Sequence, residues 1–172
     1  MNFKIFLLAF LFLMINSCKS PKTKDFRESI VQEERVASQI ILGKDGPETK
    51  KLKYLEENDF KGALRAVDQQ AVEFDKLIKS IKILSSDDIK EGEPLKMAAI
   101  NYYQSLKELH FFDRKEIVQQ QLISKLYGKD QKMAQDQLIE LARQKKSLYT
   151  KVYKNENLLS IALAKFDAAN GF

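Results

Sequence analysis

The chain has 172 residues, of which 29 are basic and 24 acidic, for a net charge of +5. That length holds one domain with a sizeable core, and the modest basic excess forms no block dense enough for nucleic-acid binding. A lone cysteine excludes an internal disulfide, and a lone histidine excludes the paired Glu-x-x-His sites of di-iron bundles.

Residues 1–17 carry one charged side chain, Lys4, followed by an unbroken apolar run over residues 5–15. The run is shorter than the roughly 20 apolar residues of a spanning helix. A positive start, a short apolar run and then small polar residues predict a secretory signal peptide. An ordinary signal would be cut near Asn16 or Ser17 and leave Cys18 incidental. Ile15-Asn16-Ser17-Cys18, however, resembles the lipobox of bacterial lipoproteins. The resemblance implies cleavage before Cys18, a diacylglycerol on its thiol and an acylated new amino terminus. Ile15 and Asn16 stand where the class more often has Leu and a smaller residue, whereas Ser17 and Cys18 match.

The expected organisation is a cleaved signal over residues 1–17, a tether over 18–24 and a helical domain over 25–172. Two or more acyl chains hold a protein stably where one does not. A thiol consumed by lipid also accounts for the missing cysteine partner. Lys19, Lys22, Lys24 and Arg27 beside the anchor either favour anionic headgroups or simply solvate the tether. Lys19 is not the aspartate associated with inner-membrane retention in that class, and no acidic run follows Cys18. The resemblance therefore implies the outer membrane, with the domain facing the periplasm.

Beyond the tether, Pro and Gly mark breaks at residues 43–47, at 92–94 and at Gly128. They cut the body into four helical segments. Residues 48–57 are weakly patterned and read as a short helix or a long connection. In the first segment the apolar seam is Phe26, Ile30, Ala37 and Ile40, interrupted by Glu33. The second steps by fours and threes through Phe60, Leu64, Val67, Ala71, Phe74, Ile78 and Ile81. The third begins with Leu95, Ala99, Tyr102, Leu106 and Leu109, then drifts near Phe111, Phe112 and Asp113. The last runs through Ala134, Leu138, Leu141, Lys145, Leu148, Val152, Asn155, Leu159, Ala162, Phe166 and Ala169. Such seams, widened by flanking apolar residues, predict an all-α fold: an elongated up-down-up-down antiparallel four-helix bundle. Asn58 and Asp130 are expected N-caps, and Asn170-Gly171 a helix stop with Phe172 folding back.

Chemistry is sparse. Lys107 stands three residues before His110, so not even one Glu-x-x-His pair exists. Haem held between His110 and Met133 or Met97 is the one cofactor arrangement to weigh, against an ordinary structural histidine. No G-x-S-x-G turn or Gly-rich phosphate loop occurs. Asp87-Asp88 and the carboxylates of residues 113–116 read as caps and solvated faces. The expectation is a non-enzyme with no cofactor and no metal.

Two features stand out. Glu33, Lys145 and Asn155 are polar at seam positions; Glu33 and Lys145 would meet at one level and fix register, or else lie at the stripe's boundary. Tyr102, Tyr103, Phe111 and Phe112 cluster ahead of Gln119, Gln120 and Gln121. Tyr103, Phe111 and Phe112 are then a partner surface, a pocket lining or core. The stretches AAINYYQSLKEL and ALAKFDAANGF resemble uncharacterised helical-bundle surface lipoproteins of bacteria, which implies no catalytic residue. The functional expectation is a lipid-anchored envelope module that binds a protein partner. The alternative is a periplasmic carrier of a small apolar ligand, or haem, between helices.

Overall fold

Proline has no backbone N–H to lose in a first helical turn, and Pro21 and Pro47 each open a helix. In chain order the helices are α1 (Pro21–Leu42), α2 (Pro47–Glu56), α3 (Phe60–Lys82), α4 (Gly92–Ile123) and α5 (Gly128–Asn170). The structure is a computed structural model and describes residues 20–172; Cys18 and the start of the expected tether lie outside the described residues. Among the described residues there is no strand, and no helix is long and apolar enough to cross a membrane.

The short α2 resolves the ambiguous residues 48–57 as helix. Glu33 on α1 accepts from Ser80 Oγ at 2.5 Å, near the end of α3. Glu48 on α2 accepts from Gln70 Nε2 at 3.0 Å, further toward the start of α3. Thus α1 and α2 are two halves of one rising arm, antiparallel to α3. At the break, Gly43 N–H donates to Gln39 O at 3.0 Å, and a Cβ on Gly46 would stand 2.6 Å from that same oxygen. Glycine is needed there for close approach.

The remaining arms alternate in direction. Asp75 and Asp68 of α3 pair with Lys107 and Arg114 of α4, both at 2.6 Å. Lys151 of α5 pairs with Glu108 at 2.5 Å, and Asn170 Nδ2 donates to Lys90 O at 2.9 Å, so α5 runs back along α4. The circuit closes where Phe166 of α5 stacks on Phe26 of α1, with centroids 5.7 Å apart. Joined this way, the molecule is an all-α, four-armed, up-down-up-down bundle.

α5 runs unbroken for 43 residues, about 65 Å at a rise of about 1.5 Å per residue. Its expected seam faces inward except at its last residue: Ala134, Val152 and Phe166 are buried, Leu138, Leu141, Lys145, Leu148, Asn155, Leu159 and Ala162 are half-buried, and Ala169 is exposed. Gly171 ends it in the left-handed region at φ 74. Phe172 folds back to stack on Phe166 at 6.0 Å, with the Arg27 guanidinium 5.2 Å from its ring centre.

Three details differ from the sequence expectation. Asp59, not Asn58, caps α3, accepting from Gly62 N at 2.8 Å, and Asn58 takes a left-handed φ of 58. Asp130 lies in the first turn of α5, whose N-cap is Tyr127. On α4 the buried residues include Leu95, Ala99, Ile100, Tyr103, Leu106, Leu109, Asp113 and Ile117. The stripe passes through Tyr103, which is 2% exposed, and leaves Tyr102 half-buried.

The apolar core is in two parts. A large cluster includes Phe26, Ile40, Phe74, Leu95, Leu109 and Phe166. A smaller one holds Ala63, Val67 and Ile117 under Tyr54, Leu55, Phe60 and Leu64. What lies between them is polar.

Candidate functional site

Successive turns of α3 and α4 cross from one cluster to the other through a polar residue. On α3, Gln70 lies between Val67 and Phe74; on α4, Asp113 lies between Leu109 and Ile117. Residues spaced by three or four share a helix face, so His110, Asp113 and Glu116 form one row on α4. Glu48 and Lys51 form a second row on α2. The two rows run side by side.

Their charges alternate. His110 Nδ1 lies 3.2 Å from Glu48 Oε2, and Lys51 Nζ lies 2.6 Å from Glu48 Oε1. Lys51 also pairs with Asp113 Oδ2. Asp113 Oδ1 in turn faces Lys145 Nζ of α5 at 2.5 Å, and Lys145 reaches Glu116 at 2.7 Å. The layer is well shielded: the Lys51 and Asp113 side chains are 6% and 9% exposed. Phe74 stacks on the His110 ring at 5.9 Å, covering its face.

Burial by itself raises the Glu48 pKa, but hydrogen bonds from His110, Lys51 and Gln70 outweigh it and bring the carboxyl from 4.5 down to about 2. Burial likewise pulls the Lys145 ammonium down, while its bonds to Asp113 and Glu116 carry it above the ordinary lysine value. Because the folded Glu48 value lies below the unfolded one, its stabilisation is complete above pH 4.5 and is lost as pH falls through about 2. It amounts to roughly 3 kcal/mol. Glu48→Gln is expected to flatten the stability–pH curve between pH 4.5 and 2, measured as urea midpoints by circular dichroism. An unchanged acid limb would contradict this.

The layer floors a cleft of about 280 Å³ between α2, α4 and α5. Leu52, Leu55, Leu109 and Ile117 give it apolar walls, and Tyr149 of α5 stands at its edge. One ligand atom from each of Glu48, His110 and Asp113 lies within 4.8 Å of the others, a spacing compatible with a metal ion. Lys51 Nζ contacts two of the three. The arrangement can hold a positive charge, and here an ammonium does so.

Several expected residues are placed otherwise. Glu33 and Lys145 do not meet: Glu33 bonds to Ser80, and the partners of Lys145 are on α4, because α5 packs along α4 at that level. Asn155 Nδ2 donates to Asn101 O at 3.2 Å, a second tie between α5 and α4. Asp113 and Glu116, expected on a solvated face, sit inside the polar layer. Met97 and Met133 are exposed, and Met97 is on the solvent side of the helix whose opposite side carries His110. Neither joins His110 as an axial pair.

Tyr103 is core and is withdrawn from the expected partner surface. Phe112 is half-buried with Lys115 Nζ 4.9 Å from its ring centre, and Phe111 is exposed. Glu48, Lys51 and Gln70 are site residues that apolar periodicity does not reveal. Their signal is only the i,i+3 spacing of Glu48 and Lys51 on a short amphipathic stretch. Gln119, first of the glutamine run, donates from Nε2 to Ala134 O at 2.8 Å and ties the top of α4 to α5.

No protein-family model, curated protein or solved structure matches this chain.

Proposed function

We propose that the chain is a lipid-anchored protein of the bacterial cell envelope, held at Cys18 in the outer membrane and facing the periplasm. There it acts as a non-enzymatic interaction module for another envelope protein. The observation that carries the interaction reading is the outer face of α4. Met97, Phe111, Val118 and Leu122 are each 45–49% exposed on the side opposite the core. Met97, Gln104, Phe111 and Val118 recur at heptad spacing, which is the pattern a partner helix reads. Exposed aromatic and Met side chains in such a stripe are the common anchors of protein interfaces.

The tether supports the same reading. Helix α1 starts three residues after Cys18, and three extended residues reach only about 10 Å. The foot of the bundle, with the α3–α4 loop and the chain's end, would then lie near the lipid surface. The α4 stripe would extend away from it.

A photo-crosslinking residue at Lys115, within the stripe, tests this in the anchored protein expressed in a bacterial envelope. One discrete adduct is expected from position 115 and none from position 136 on α5. Phe111→Ser with Val118→Ser should abolish the adduct while leaving helicity unchanged, since both side chains are exposed. An adduct that survives both substitutions, or forms equally from position 136, would overturn the reading.

A further inference from the structure

We propose that Glu48, His110 and Asp113 form a latent site for a divalent first-row transition metal, with the Lys51 ammonium as the competing cation that the metal displaces. The three residues offer one oxygen, one imidazole nitrogen and a second oxygen, all within 4.8 Å of one another. Glu48 Oε2 and His110 Nδ1 are already 3.2 Å apart. Ligands that share an ion at about 2.0–2.2 Å lie roughly 3–3.6 Å apart in tetrahedral geometry. Only a small inward movement by Asp113 is needed.

Lys51 already holds the place of a cation. Its Nζ contacts both Glu48 and Asp113, so a cation is held between two of the three ligands. The side chain also lines the cleft, and a flexible four-carbon stem can carry the ammonium outward without moving α2. With Lys51 withdrawn, Glu48, Asp113 and Glu116 face only Lys145. Two negative charges are then unbalanced, which one divalent ion neutralises. His110 enters as the neutral tautomer protonated on Nε2, so the Nδ1–H that it gives Glu48 is moved to Nε2 and Nδ1 is left free for the metal.

A second and independent sign is Gln70. It is 1% exposed, its Nε2 donates to Glu48 Oε2, and its Oε1 is buried without a hydrogen-bond partner. Buried acceptors are rarely left unmatched, and this oxygen belongs to the amide whose nitrogen bonds the Glu48 carboxylate. An imidazole among oxygens favours Zn²⁺, Co²⁺ or Ni²⁺ over Mg²⁺ or Ca²⁺. The cleft gives the ion an entry path.

The test is a Co²⁺ titration of the full chain in detergent, followed by visible absorption and then displaced by Zn²⁺. One saturable ion per chain is expected. Lys51→Met should tighten binding by about tenfold or more by removing the competitor, and His110→Gln should weaken it by a similar factor. If Lys51→Met proves unfolded without metal, recovery of helical signal on adding Zn²⁺ supports the site, and no recovery counts against it. Absence of saturable one-to-one binding in both the wild type and Lys51→Met overturns the proposal. So does unchanged affinity in His110→Gln.

Discussion

Asp113→Leu is expected to lower the unfolding free energy by about 3–5 kcal/mol, the range for breaking a buried ion pair from one side. The size follows from what it abandons. Asp113 is held by Lys51 from α2 and by Lys145 from α5, so its loss leaves two shielded ammonium groups each with one partner fewer. Lys51 keeps Glu48, and Lys145 keeps Glu116, which caps the damage below that of two bare charges. The compensating change is Lys51→Met. Well-packed apolar replacements of buried pairs are often neutral or stabilising, so the double variant should regain most of the loss. Urea unfolding of the two single variants and the double variant measures the coupling directly. A double variant no more stable than Asp113→Leu alone would mean that the two residues are not energetically paired.

Phe166→Ala is expected to cost about 3–5 kcal/mol as well, by a different route. Phe166 is fully buried, stacked between Phe26 of α1 and Phe172 at the chain's end. Only Ala134 and Val152 are otherwise buried on the whole of α5, so this helix has few apolar anchors to share the loss. Beside Phe166, Arg27 binds Asp167 through two hydrogen bonds of 2.7 and 2.9 Å. That clamp depends on α1 and α5 staying together. Hydrogen exchange should therefore quicken in the last turns of α5 and the first turns of α1, with the amides of residues 110–117 still protected. Uniform loss of protection along the chain would contradict this local account.

The polar layer would resist a change of register between α4 and α5. A one-turn slide of α5 along α4 would bring Leu141 or Leu148 to the level of Asp113 and strand Lys145 among apolar residues.

The arms of the fold were legible because their apolar periodicity is strong. On α5 every seam residue from Ala134 to Phe166 faces inward or half-inward, with Lys145 in the place its spacing assigns. On α4 the expected seam and the buried stripe coincide at Leu95, Ala99, Leu106 and Leu109; between Ala99 and Leu106 the helix buries Tyr103 in place of Tyr102, and Asp113, one turn after Leu109, is carried into the core. The site was less legible for a plainer reason. Lys51 and Gln70 are buried and Glu48 half-buried because they bond to one another and to Asp113, and apolar pattern does not register residues that charge and hydrogen bonds hold inside. Lys145 pointed to the layer, but its partner on an adjacent helix follows from which arms pack at that level.

The claim on which the functional account rests is the tether at Cys18. Its most direct measurement is the intact mass of the protein extracted from bacterial membranes. The expected mass is that of a chain beginning at Cys18, increased by a diacylglycerol and an amide-linked acyl group, with Cys18→Ala unprocessed or released from the membrane. A bare chain cut at another residue would contradict the anchor and remove the membrane from the proposed function.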